Sequence, residues 1–148
     1  MRFILAILFS LFATLAQAQG VSAQLCYTTN GTNCARSVQS SASIPINIAT
    51  GTTTQLVALV ANQTIYITSW DVMAGGTGNF TLEYGTGTNC GTGTTTLTGA
   101  YPLIAQAGIS KGNGLGPVLI VPPGNALCAL TDQTIQYSGS ISYAQFQN

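Results

Sequence analysis

Very few residues in this chain are equipped for chemistry. Among its 148 residues there are three acids, three bases and no histidine, which excludes every catalytic dyad or triad built on imidazole. The acids are Asp71, Glu83 and Asp132; the bases are Arg2, Arg36 and Lys111. Asp71 and Glu83 can be weighed as a glycosidase pair, whose carboxyls must stand about 5 to 9.5 Å apart. The plainer reading is two exposed carboxylates that keep a β-structured stretch soluble. Lys111 sits alone among glycines and reads as a solvated loop tip. Asp132 also stands alone, whereas a calcium site gathers several oxygen ligands. The glycine-rich stretches 85–93 and 112–116 lack the Gly-Lys-Ser/Thr or βαβ setting of a phosphate cradle, and read as hairpin loops. No catalytic, cofactor-binding or metal-binding residue is assigned, no cofactor is expected, and the chain reads as a non-enzyme.

The start of the chain decides the compartment. MRFILAILFSLFATLAQA has a short basic start, an apolar run from Phe3 to Leu15 and a small-residue site at Ala16-Gln17-Ala18. This is the pattern of a secretory signal peptide over residues 1–18. The apolar run of about thirteen residues is too short for a membrane helix, which needs roughly twenty. Export makes the four cysteines, Cys26, Cys34, Cys90 and Cys128, read as two disulfides. Three pairings are open on sequence. Cys26 with Cys34 and Cys90 with Cys128 is preferred, because the first pair brackets the turn-prone YTTNGTN. In the chain-entropy model a ring of about nine residues contributes about 2.6 kcal/mol and one of about 39 residues about 3.9 kcal/mol. A zinc reading would need thiolates and a spacing that this chain lacks.

After cleavage about 130 residues remain, enough for one domain with a core. Its charges are two bases (Arg36, Lys111) against three acids, 2 − 3 = −1. Ordinary domains are roughly 25% charged; this chain is 4% charged. Clustered Lys and Arg are missing, so nucleic acid and anionic lipid are excluded as electrostatic partners. A surface with so little charge repels its own copies weakly and favours self-association.

The elements that must carry these residues are strands. Residues 19–42 read as an N-terminal arm with the small disulfide loop, and 43–148 as the folded domain. In the stretch from Asn62 to Gly85, NQTIYITSWDVMAGGTGNFTLEYG, two β-type runs flank a glycine-rich turn and read as a hairpin. Phe80, Leu82 and Tyr84 alternate with Thr81 and Glu83. Turning Asp71 and Glu83 to water turns Trp70 and Phe80 inward. Ile65 and Ile67 then face the wrong way, unless both faces are covered there or a bulge near Ser69 reverses the parity. Before this stretch, Ile44, Ile46 and Ile48 mark a strand with Pro45 at an edge position. Leu56, Ala58 and Val60 mark the next. After it, GTGTNCGTGTTT reads as a loop tied by Cys90, LTGAYPLIAQA as two short pieces kinked at Pro102, and ISKGNGLG as a loop. Residues 117–121, 126–131 and 134–146 close the chain as strands. In the last, Ile135, Tyr137, Ile141 and Tyr143 are candidate core residues, and Gly139 marks a bulge or crossing. No 3.6-residue period appears. The expectation is all-β: an antiparallel two-sheet sandwich, jelly-roll-like, of about eight strands. A closed barrel is the other architecture that the spacing allows.

The run YGTGTNCGTGTTTLTGAYPLIAQAGISKGNGLGPVLIVPPGNALC, with the ending SGSISYAQF, resembles small exported or virion-associated β-sandwich proteins of unknown function that recur in bacterial and bacteriophage genomes. The resemblance covers roughly the last two thirds of the chain. It implies a β-rich module with Cys90 and Cys128 paired, and carries over no catalytic residue.

Two functional readings remain. The first is an exported surface or structural protein, on a cell or virion surface or in the periplasm, that assembles with itself into an oligomer or array or coats another surface protein. The second is a carbohydrate-binding module in which Tyr66, Trp70, Tyr84, Tyr101 and Tyr143 offer stacking faces to glycans, although core filling is the default role of aromatics on strands.

Overall fold

The computed structural model of the chain describes residues 24–26, 34–36, 38–112 and 116–147, the first two pieces by their backbone alone. The expected signal peptide, residues 1–18, lies outside them. Two short strands of the arm, β1 (Gln24–Cys26) and β2 (Cys34–Arg36), pair antiparallel with Cys26 opposite Cys34. The sulfur bond expected there lies outside the described residues.

The rest is a two-layer antiparallel sandwich. Its strands are β3 (Ala42–Ile48), β4 (Thr53–Val57), β5 (Thr64–Ala74), β6 (Gly78–Thr86), β7 (Thr92–Thr96), β8 (Tyr101–Leu103), β9 (Gly108–Gly112), β10 (Leu119–Val121), β11 (Ala126–Thr131) and β12 (Tyr137–Phe146). One sheet runs β3-β12-β5, with β9 and β10 sharing the far side of β5; the other runs β4-β11-β6, with β7 and β8 sharing the far side of β6. The ten strands therefore occupy eight lanes. Counted along the chain, lanes one, eight, three and six form the first sheet and lanes two, seven, four and five the second. That is the jelly-roll order. The expected count of about eight strands holds for lanes; two lanes are each broken in two.

The expected hairpin of residues 62–85 is corrected. Strands β5 and β6 lie in different sheets, so the turn at Gly75-Gly76-Thr77 carries the chain across the sandwich. Trp70 and Phe80 do turn inward, but they meet face to face between the layers, with ring centroids 6.0 Å apart. Alternation fixes which face a residue takes, not which strand becomes its neighbour. Around this pair close Ile46, Ile48, Ile65, Ile67, Val72, Leu82, Val121, Leu127, Tyr137 and Ile141, all buried.

The parity conflict in β5 is resolved by a bulge. Ser142 pairs with Ser69 and Tyr143 with Ile67, leaving Thr68 as the extra residue. Its hydroxyl donates to the Ser142 carbonyl at 3.0 Å. Ile65 and Ile67 thus share the inner face with Trp70, Val72 and Ala74 despite opposite sequence parity. Tyr66 takes the outer face, where it stacks on Phe146 at 4.7 Å.

A second bulge corrects β4. Cys128 pairs with Gln55 and Leu127 with Val57, skipping Leu56. Val57 is therefore the buried residue, Leu56 is half-buried, and Ala58 and Val60 are exposed. Two expected loops also contain strands: 85–96 ends in β7, and 109–116 begins in β9. The first is rich in Gly and Thr and the second in Gly, and both strands are largely exposed, so no alternation of apolar and polar residues announces them. The stretch 97–107 holds one strand, β8, rather than two, and Pro102 lies inside it. Pro45 does sit on an edge strand, β3. Tyr137 and Ile141 are buried, while Ile135 and Tyr143 are half-buried against the core.

Candidate functional site

The carboxylates are dispersed. Asp71 lies on the outer face of the first sheet, exposed, and accepts a hydrogen bond from Ser140 on β12. Glu83 lies on the outer face of the second sheet, because Leu82 and Tyr84 beside it turn inward. Two layers separate the pair, and packed sheets stand about 10 Å apart, beyond the reach of a glycosidase pair. Asp132, in the turn after β11, accepts the Asn79 backbone N–H at 2.7 Å and its side-chain amide at 2.6 Å. Those two donors hold its pKa below the ordinary 3.8. Among the described residues no group of acids or cysteines is placed to hold a metal ion.

Glu83 is not solvated, contrary to expectation: only 4% of it is exposed. The chain after β6 folds back over the outer face of the second sheet as a short 3-10 turn, Thr88–Cys90, that touches β4, β6 and β11. Three contacts hold it there. Cys90 and Cys128 form a disulfide, S–S 2.03 Å, with both residues fully buried; Asn89 accepts the Gln55 N–H at 3.2 Å; and the Thr94 hydroxyl donates to the Cys90 carbonyl. Gly85 lies beneath this brace, where a Cβ would meet the Cys90 carbonyl oxygen at 2.8 Å. Cys90, Ala126 and Cys128 make a small second core apart from the main one. Glu83 accepts the Thr53 hydroxyl at 2.8 Å at the margin of this brace. A sequence pattern gives the face of a residue but not what later folds over that face, and this is why Glu83 misled.

The aromatics do not form an exposed platform. Trp70 and Tyr66 are buried, and Tyr84, Tyr101 and Tyr143 are half-buried. Concavity appears instead on the side of the sandwich where the broken lanes meet. A cleft of about 280 Å³ opens there between β8 and the turn before it on one sheet and β9 and β10 on the other. Trp70 forms part of its wall, and Tyr101 meets Trp70 at a centroid distance of 5.6 Å. Val118 and Leu119 line the opposite side, with Thr98 and Lys111 supplying the polar atoms. Lys111 is no loop tip. It lies on β9 directly opposite Trp70, on the inner face of an edge strand. Its place was hidden because β9, GISKG, looks like a loop.

No protein-family model, no curated protein and no solved structure matches this chain. The fold and the disulfide therefore carry the comparison with other proteins only as far as architecture. A buried disulfide is compatible with an extracellular location, and no helix among the described residues is long and apolar enough to cross a membrane.

The other feature on this side is a bare edge. All five residues of β7, TGTTT, are exposed, carry no charge and include no proline. On one flank β7 pairs with β6, and no other strand pairs with it among the described residues. Natural edge strands are guarded by charge, proline, bulges or cover. Two other edge strands show such devices: Pro45 on β3, and the inward lysine Lys111 on β9. Strand β7 has only the register shift opposite Tyr84 and Thr86.

Proposed function

We propose that this is a non-enzymatic exported structural protein that assembles with copies of itself, or coats a cell or virion surface, by pairing along β7. The observation that carries the reading is that edge of five exposed, uncharged residues. Its open N–H and C=O groups offer main-chain hydrogen bonds to an incoming strand, the mode known as β-augmentation. The near absence of charge supports it, since copies approach without repulsion. The braced second sheet supports it too, because a stiff sheet presents a fixed register to its neighbour. Dispersed carboxylates and the lack of histidine leave no proton-transfer pair, which favours a structural over a catalytic role.

Size-exclusion chromatography with light scattering on the processed protein tests this. At tens of micromolar the expected result is a dimer or larger, reverting to monomer in Thr95→Lys. A wild-type protein that stays strictly monomeric over this range would refute assembly.

A further inference from the structure

We propose that the cleft between β8 and β9–β10 is a binding site for a small carboxylate with a flat apolar body, a molecule of about the size of benzoate. This stands apart from assembly through β7.

The size fits. A cavity of about 150 Å³ takes benzene, and this cleft, at about 280 Å³, has room for a ring and a head group. The walls fit a ring: Tyr101 and Trp70 give aromatic faces, and Val118 and Leu119 an aliphatic one, the mix that ligand pockets favour. Offset or tilted stacking against Tyr101 is open to a planar ligand.

The charge selects the anion. Among the described residues the Lys111 side chain makes no ion pair and no hydrogen bond. Asp71, next to its register partner Trp70, is on the other face of the sheet, held by Ser140. In so weakly charged a protein, an unpaired ammonium at the mouth of an apolar cleft is a strong local selector. Thr98 adds a second donor. Its oxygen accepts the Leu82 N–H at 3.0 Å, which leaves its own hydroxyl proton free to give. An ammonium and a hydroxyl together match the two oxygens of one carboxylate.

An inward lysine on an edge strand also guards that edge against pairing, so the experiment must separate guard from anchor. Trp70 is the only tryptophan in the chain, so its fluorescence reports on the cleft directly. Titration of the processed protein with benzoate should give a saturable change at about 1 mM or below, the range open to so small a ligand. Benzyl alcohol, of the same shape without the charge, should bind at least tenfold more weakly. Lys111→Met should bring benzoate down to the level of benzyl alcohol, while Lys111→Arg should keep most of the affinity. Melting curves of both variants verify that they fold. The proposal fails if benzoate does not saturate, or if Lys111→Met folds and binds it as well as wild type. It also fails if glucose perturbs Trp70 more than benzoate does, which would give the cleft to neutral sugars. Fewer monomers in Lys111→Met with benzoate affinity unchanged would leave Lys111 as an edge guard alone.

Discussion

The two long sides of the sandwich are built on opposite plans. On one side run β3 and β4, continuous strands joined by a short connection that Thr131 fastens by donating its hydroxyl to the carbonyls of Thr50 and Thr52. On the other side each lane is broken, β7 and β8 along β6 and β9 and β10 along β5, and the cleft opens between them. Both features assigned a function here, the bare edge and the cleft, lie on the broken side. The difference teaches that stability is concentrated in the closed side and in the brace over the second sheet, which leaves the broken side free to expose backbone and cavity. Changes to the brace or the sheet centre should therefore melt the protein, whereas changes on the broken side should alter binding at nearly constant stability.

The largest effect is expected at the brace. Replacing Cys90 and Cys128 together by serine opens the ring of about 39 residues, which is worth about 3.9 kcal/mol in the chain-entropy model, or a loss of about 15 °C in Tm. Opening the expected Cys26–Cys34 ring of about nine residues by Cys26→Ser and Cys34→Ser should cost about 2.6 kcal/mol at most. Thermal melts of the two double variants decide the matter; equal shifts would mean that the brace does not hold the second sheet.

Next comes the sheet centre. Gly139 lies on β12 between β5 and β3, and a Cβ there would stand 2.0 Å from the Asp71 carbonyl oxygen. That atom is backbone and cannot rotate away. Gly139→Ala should cost about 3 kcal/mol, at the upper end for overpacking. A melt within about 2 °C of wild type would show that the strands can separate there without loss.

How much of this was legible in the sequence follows from what each segment buries. Where side chains alternate against a core, as in β3 with Ile44, Ile46 and Ile48, or β12 with Tyr137 and Ile141, both strand and face could be read. Even the bulge near Ser69 was foreshadowed by the clash of parity between Ile65 and Trp70. Partner choice was not legible, because β5 and β6 are adjacent in sequence and carry compatible patterns, yet pair with distant strands, β6 with β11 and β5 with β12. The strands of the broken side were invisible for another reason. TGTTT and GISKG bury almost nothing, so they leave no pattern, and with them went the places of Lys111 and the cleft.

On the broken side the expectation reverses. Thr95 is exposed, and it pairs with Tyr84 on the inward parity of β7. Thr95→Lys would give this edge the same inward lysine that β9 has in Lys111. Stability should stay within about 0.5 kcal/mol, as for other surface substitutions, while light scattering should show association lost. If association persists at full strength, pairing runs through another surface and the contrast between guarded and bare edges loses its meaning.

The smallest effect belongs to the corner where the sheets are tied. Asn79, at the start of β6, gives both its N–H groups to Asp132 and accepts the Tyr137 hydroxyl from the other sheet at 3.2 Å. Burial, aided by the Asp132 charge, raises the Tyr137 pKa and keeps this donor protonated. The Asp132 pKa is lowered from 3.8. A carboxylate whose folded pKa is depressed stabilises the fold above its unfolded value and loses that contribution as pH falls through the folded one. Asp132→Asn should thus melt slightly below wild type at neutral pH, and the gap should narrow as the pH falls below about 4 and close once Asp132 is protonated in both states. Because Asp132 is exposed, solvent keeps the effect small. A gap that stays constant down to pH 2 would mean that the corner is held by the shape of residue 132 and not by its charge. The tie between the sheets would then survive acid, and any loss of assembly at low pH would have to arise elsewhere, on the broken side.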